Sequence, residues 1–281
     1  AYQDWALAQM ATALGHDDDA SIFLERSRNY RNLFDPDTGY IRPRLENGEW
    51  YSPYDPHEYR TGFVESNAAQ MTWFVPQDYA GLAELMGGND ILVQRLDEAF
   101  KTASRNGFTS GKSHDDETRE QNRRTPINYG NQPSIQTAFI FNATGAPELT
   151  QKWSREVIRA VHAKVSPYDG YNGDEDQGLM GSLAVLMKIG LFQLDGGVTV
   201  DPVYQVGSPL FDRITIQTDA DYYSGREFVI ETWNNSDANR YIQSMTLNGK
   251  PLSRYYLHHS EIVAGGHLLL RMGPEPVSGG Q

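Results

Sequence analysis

The chain has 281 residues, a formal net charge of −13 and no cysteine. That length can bury one large core or two smaller ones. The cysteine count excludes disulfides, thiolate catalysis and sulfur-ligated zinc, and the acidic balance argues against a nucleic-acid partner.

The opening, "AYQDWALAQMATALG", has no basic n-region and reads as the interior of a folded domain rather than a leader. Its Trp5, Leu7, Ala8, Ala11 and Leu14 recur near a helical period, and Gly15 is a stop signal. A second helix is predicted over "DDDASIFLERSRNYRNLF", with acids at its start where the helix dipole favours them. Asp35 to Tyr40, "DPDTGY", is a turn cluster. Residues 41–60 are irregular and rich in Pro, Tyr and Trp. Helical character is predicted again over "SNAAQMTWFVPQDYAGLAELMGG", with a kink or break at Pro76. "NDILVQRLDEAFKTA" is amphipathic. Ser134 to Asn142, Pro147 to Lys164, and "GLMGSLAVLMKIGLF" complete the helical part. No window of the chain reaches the about 18 apolar residues of a membrane span.

Three joints share one chemistry. Gly15 precedes "HDDD", Gly88 precedes "ND" and Gly145 precedes "APE". In each, a glycine ends one helix with positive φ, and Asp, Asn or Pro opens the next. Repeated short joints mean stacked antiparallel helical hairpins, as in a helical toroid or solenoid, with an ordinary bundle as the alternative. From about Leu191 the pattern turns to short β-rich runs: "DRITIQT", "REFVIETWN", "YIQSMTLNGKPL" and "YYLHHSEIVAGGHLLLRM". Asn248 to Lys250 is a hairpin signal. The fold class expected is α+β: a helical part over residues 1–190, then an antiparallel β unit over 191–281 with a frayed tail, "GPEPVSGGQ".

Candidate chemistry lies in three stretches. In "GDEDQGLM" three like charges, Asp174, Glu175 and Asp176, stand just before an apolar helix. The run opens like a calcium loop but lacks its closing glutamate, because Val185 stands at position twelve. It reads equally well as a charged cap for the helix starting near Gly178. A catalytic reading needs a second carboxylate, and Glu65 in "FVESNAAQMTW" is the obvious one. Glycoside hydrolysis uses such a pair, one protonating the leaving oxygen and the other activating water. Phe63, Trp73 and Phe74 around Glu65 would desolvate it, which raises a carboxyl pKa. The plain alternative is an acid at a helix N-terminus. In "NYGNQPSIQTAF", Asn131 and Gln132 offer neutral oxygen ligands for a hard cation. Trp50, Tyr51, Tyr54 and Tyr59 are loop aromatics that suit sugar faces and suit ordinary cores too. His258 and His259 are adjacent in a predicted strand, so they face opposite sides and make a poor chelate.

The ordered motifs "RSRNYRNLFDPDTGYIRPR", "ESNAAQMTWFVPQD", "GLAELMGG", "YGNQPS", "TQKWSREV", "GDEDQGLM", "VYQVGSPLF" and "NNSDANRYIQSMTLNGKPL" give the chain a resemblance almost end to end. It resembles the C-terminal part of family 92 glycoside hydrolases, calcium-dependent, exo-acting α-mannosidases. The resemblance implies helical hairpins forming part of an (α/α)6 barrel, preceded in the family by an N-terminal β-sandwich that would be a partner of this segment. It implies an inverting hydrolysis of a mannose-containing glycan, of α-1,2 or related linkage, as in N-glycan degradation. Glu65 would be the acid, Asp176 the base and Asp174 a holder of the water, with calcium nearby at Asn131 and Gln132. It also implies a periplasmic or secreted location. An inverting pair is expected about 6.5–9.5 Å apart.

Three departures from the family pattern stand out. Where the family usually has Glu-Gly-Asn-Ala-Trp, this chain has Glu65-Ser66-Asn67-Ala68-Ala69. Where it usually has Gly-Asn-Glu-Pro, here stand Gly130-Asn131-Gln132-Pro133. The histidine pair that usually follows is Ile135-Gln136. An amide in place of a carboxylate removes charge from a calcium site. A non-catalytic, carbohydrate-binding or scaffold piece of such an enzyme is the competing expectation.

Overall fold

The computed structural model describes residues 1–109, 124–166 and 170–277. They fall into two compact units that interleave along the sequence. The first comprises residues 1–137, 160–180 and 198–200, and the second residues 138–159, 181–197 and 201–281. The last four residues of the expected tail lie outside the described residues.

The first unit is mainly helical. Helix α1 (Tyr2–Leu14) ends at Gly15, whose φ of 75° frees the backbone to turn, and α2 (Asp17–Arg26) follows. Asp17, Asp18 and Asp19 fill the first turn of α2, where unpaired backbone N–H groups welcome negative charge. A 3-10 segment (Ser27–Leu33) replaces the second half of the helix expected there. A two-residue hairpin, β1 (Phe34–Asp35) with β2 (Tyr40–Ile41), then brackets the predicted turn. Arg42 clamps it by donating to the buried Asp35 carboxylate at 2.9 Å.

The stretch expected to kink or break at Pro76 breaks into two helices. The first is α3 (Ala68–Met71), and the second is α4 (Tyr79–Met86), capped by the Asp78 side chain. Pro76 stands in the turn between them, where its missing N–H costs nothing. Helix α5 (Asn89–Ser104) turns Leu92, Leu96, Phe100 and Ala103 to the core at helical spacing, all fully buried. Each of the larger three contributes about 1.5–3 kcal/mol by leaving water.

The second unit holds most of α6 (Thr137–Ala143) and α7 (Pro147–Val161), the greater part of α8 (Leu179–Ile189), and two sheets. The smaller sheet orders β3 (Leu191–Phe192), β4 (Val203–Val206) and β9 (Tyr256–His258). The larger runs β5 (Arg213–Gln217), β6 (Glu227–Trp233), β10 (Gly266–Gly273), β7 (Tyr241–Leu247), β8 (Lys250–Leu252). The expectation of a purely antiparallel unit needs correcting, because β10 pairs with β6 in parallel and with β7 antiparallel. Leu268, Leu270 and Met272 alternate inward along β10, as a strand with one core face must. The histidine pair is not within one strand either. His258 ends β9, and His259 opens the short helix α9 (His259–Val263).

One buried charge organises this unit. Arg155 on α7 gives Nε to the carbonyl and hydroxyl of Ser208 at 3.1 and 3.0 Å, and Nη2 to Pro209 and to Asn235 Oδ1. Burial pulls its guanidinium down to about 10, so it remains charged at neutral pH and needs all four partners.

Candidate functional site

Three loops of the first unit build the site, and each is fixed by the residues that flank it. The first is the Arg60–Ser66 loop. Arg60 N–H bonds the Ser66 carbonyl at 2.8 Å and its Nε bonds the Val64 carbonyl at 3.0 Å, so Phe63, Val64 and Glu65 ride on a closed turn. Gly62, at φ 80°, lies so close to Pro43 that an added Cβ would sit 2.3 Å from the ring. Immediately after Glu65, Asn67 caps α3 by accepting from Gln70 N–H at 2.9 Å. Ser66 Oγ donates to Gln70 Oε1 at 2.9 Å, and Gln70 Nε2 donates to the Thr125 carbonyl at 2.9 Å. These three polar residues are fully buried, so their bonds are costly to lose. Glu65, itself half-buried, therefore stands on a backbone pinned from its C-terminal side.

The second loop, 125–134, hangs from the fully buried Ile127 and Tyr129. Asn128 N–H donates to Ser134 Oγ and Gly130 N–H donates to Asn128 Oδ1, both at 2.9 Å. Asn131 is buried and used at both ends. Its Nδ2 donates to the Glu65 carbonyl and its Oδ1 accepts from Gln132 N–H, each at 2.8 Å.

The third loop carries the acidic triplet, and it separates the three acids. Glu175 is the cap: its carboxylate accepts from Gly178 N–H, and its carbonyl accepts from Met180 N–H at 3.2 Å. Asp176 is exposed and accepts a hydrogen bond from Gln132 Nε2. Asp174 is exposed two residues earlier. The cap reading thus falls to Glu175, while Asp176 turns to Gln132 instead. Asp176 and Gln177 hold φ of 55° and 59°, between Gly173 at 70° and Gly178 at 100°. The second and third loops meet backbone to backbone, since a Cβ on Gly173 would lie 2.2 Å from the Gly130 carbonyl oxygen. That approach delivers Gln132 to Asp176.

A cavity of about 440 Å³ opens over the first two loops, lined by Phe63, Val64, Glu65, Met71, Phe74 and Gln132 among others. Its walls are largely apolar, with Glu65 as the carboxylate among the lining side chains. Of the aromatics expected near Glu65, Phe63 and Phe74 line the cavity and Trp73 lies in the core. Trp50 and Tyr54 are not in its lining; their faces are taken by arginines, Arg44 over Trp50 at 4.1 Å and Arg42 over Tyr54 at 4.9 Å. Tyr51 and Tyr59 do not line it either. Of the buried Ser66, Asn67 and Gln70, the sequence marks only Ser66, as a departure from the family pattern, yet Asn67 and Gln70 stand at the N-cap and N3 spacing of a capping box.

A further brace backs the loops. Arg124 Nη1 donates to Asp55 at 2.8 Å, and the Pro56 carbonyl accepts from Ala69 N–H at 2.8 Å. The Arg124 bond, then His57 N–H, hold the Asp55 carboxyl below the usual carboxylate range.

The calcium ligands expected at Asn131 and Gln132 do not fit that ion. Calcium takes 6–8 oxygens, several of them carboxylate. Asn131 Oδ1 is already held by a backbone N–H, and Gln132 turns a nitrogen toward Asp176. Among the described residues no three of His, Cys, Asp or Glu group to hold a metal.

A sequence model of the glycosyl hydrolase family 92 catalytic domain matches residues 1–274. An uncharacterized secreted glycosidase of Arthroderma benhamiae is 27% identical over 310 residues, covering 99% of this chain and 35% of that protein. The family GH92 α-mannosidase BT3965 of Bacteroides thetaiotaomicron, solved with mannoimidazole, superposes with a TM-score of 0.82 at 27% identity, over 98% of this chain and 35% of its own. The GH92 inverting mannosidase BT2199 of the same organism superposes with a TM-score of 0.81 at 30% identity, over 98% and 36%. The chain therefore spans about a third of the length of the relatives it matches.

Proposed function

The chain belongs to glycosyl hydrolase family 92, and from that premise we propose that it carries the acid and the base of an exo-acting, inverting α-mannosidase. Glu65 protonates the departing glycosidic oxygen as the C1–O bond breaks. Asp176 takes a proton from the water that attacks C1 from the opposite face, and Asp174 helps to hold that water. The products are a mannose of inverted configuration and the shortened glycan. The apolar cavity beside Glu65 suits the carbon face of a sugar ring.

One observation carries the reading. Two carboxylates more than a hundred residues apart in sequence are tied to one structural unit through Asn131 and Gln132, which bond the Glu65 backbone at one end and the Asp176 side chain at the other. The glycan linkage proposed is α-1,2 or a close relative. The location proposed is outside the cytoplasm, in line with the secreted relative. No helix among the described residues is long and apolar enough to cross a membrane. The partner proposed is the β-sandwich that precedes this region in the family.

Following the released sugar by NMR tests the reading. Single mannose units should appear first as the β-anomer; retention of the α-configuration refutes the inverting pair. Binding of mannoimidazole with no turnover of any mannoside, with or without a β-sandwich partner, would instead make this a carbohydrate-binding piece.

A further inference from the structure

The Gln132–Asp176 bond supports a step beyond that reading, and it rests on Asp176 being the base. Asp176 sits on an exposed loop beside two other acids. Glu175 is drawn away by the start of α8, which leaves Asp176 in need of a donor to fix its direction. An amide N–H to a carboxylate is a charge-assisted, directional bond. The amide is itself aimed, because Gln132 N–H is held by Asn131, and Asn131 holds the Glu65 carbonyl. A glutamate at 132 would bring two carboxylates face to face, a pair stable only with a shared proton or a bridging cation. A glutamine makes the contact attractive by itself and points N–H groups into the space that a cation would need.

We propose that Gln132 is a positioning residue that orients Asp176 by hydrogen bonding, taking the place of a bridging metal ion. Titration of calcium chloride into EDTA-stripped protein tests this, alongside melting temperatures in EDTA and in calcium. Any difference in the wild-type melting temperature between the two should persist unchanged in Gln132→Leu. Gln132→Glu should melt lower in EDTA and recover with calcium, by about 5–10 °C at a concentration one hundred times its Kd. Gln132→Leu should lower kcat about tenfold with KM little changed, and calcium should not restore it.

Wild-type calcium binding that disappears in both Gln132→Leu and Asp176→Asn would overturn the proposal. Calcium binding that survives both lies elsewhere on this acidic chain and agrees with it. If Gln132→Glu fails to fold, the wild type and Gln132→Leu still decide. Mannose release bears on the catalytic reading alone, so the two can fail separately. An inactive wild type with a calcium-indifferent melt sinks the catalysis, whereas an active wild type that loses calcium through Gln132→Leu sinks the metal-free orientation.

Discussion

The two units differ in where they accept backbone cost. Among the described residues, the site unit places Arg60, Phe108, Asp176 and Gln177 at φ between 55° and 65°. The sheet unit places only Asn234 and Asn248 there, at 63° and 51°. Asparagine visits the left-handed region cheaply, and both of these also use their side chains: Asn234 Nδ2 reaches the Met272 carbonyl at 3.2 Å, and Asn248 Oδ1 accepts from His267 N–H at 2.8 Å. Arginine, phenylalanine and glutamine have no such affinity for the region. The sheet unit is locally consistent, whereas the first unit overrides local preference at Arg60 and Gln177, in the loops that carry Glu65 and Asp176. Strain of this kind gathers where geometry matters more than stability.

The comparison is broken most sharply by removing the chemistry without touching the backbone. Asp176→Asn keeps the loop and should reduce turnover by about 10²–10⁴-fold, measured as mannose release, with little change in melting temperature. Near-normal turnover would rule Asp176 out as the base. Gly173→Ala attacks the loop instead. It combines a left-handed position with a backbone clash at Gly130, so about 1–3 kcal/mol should be lost in urea unfolding, and activity with it.

Relief of strain gives a smaller and opposite effect. Gln177→Gly should gain up to about 1 kcal/mol, while Asn248→Gly should gain nothing because it forfeits a hydrogen bond. Equal responses at the two positions would erase the contrast between the units. The smallest effect is on pH. The Asp55 carboxyl is held below its unfolded value, so its contribution is present above the unfolded pKa and lost as pH falls through the lower folded one. Acid melts should show a slight loss below about pH 4 that Asp55→Asn abolishes.

Much of the fold could be read residue by residue. Gly15 and Gly145, proposed as helix joints, hold φ of 75° and 89°, and Gly88 follows a left-handed Gly87. Asn248-Gly249 supplies the two positive φ values of a tight hairpin. These are local signals. The parallel contact of β10 with β6 is not local, because nothing in either strand states its partner. Pro76 announces the break in the 66–88 stretch, but the bonds of Asn67 and Gln70 to the Thr125 carbonyl, more than fifty residues away, are not local either. Glu65 and Asp176 stood out as carboxylates, but the link between them needs Gly130 against Gly173, two ordinary-looking glycines in separate loops. The metal expectation failed to fit at Gln132, where a single side-chain nitrogen changes the chemistry of the contact.

Strand β10 occupies the middle of its sheet although it is the last strand among the described residues. During translation β6 and β7 leave the ribosome with a vacant lane between them. Neither edge can close until residues 266–273 emerge. A chain stopped before residue 266 therefore exposes two unpaired strand edges at once, the kind of surface that pairs with other chains.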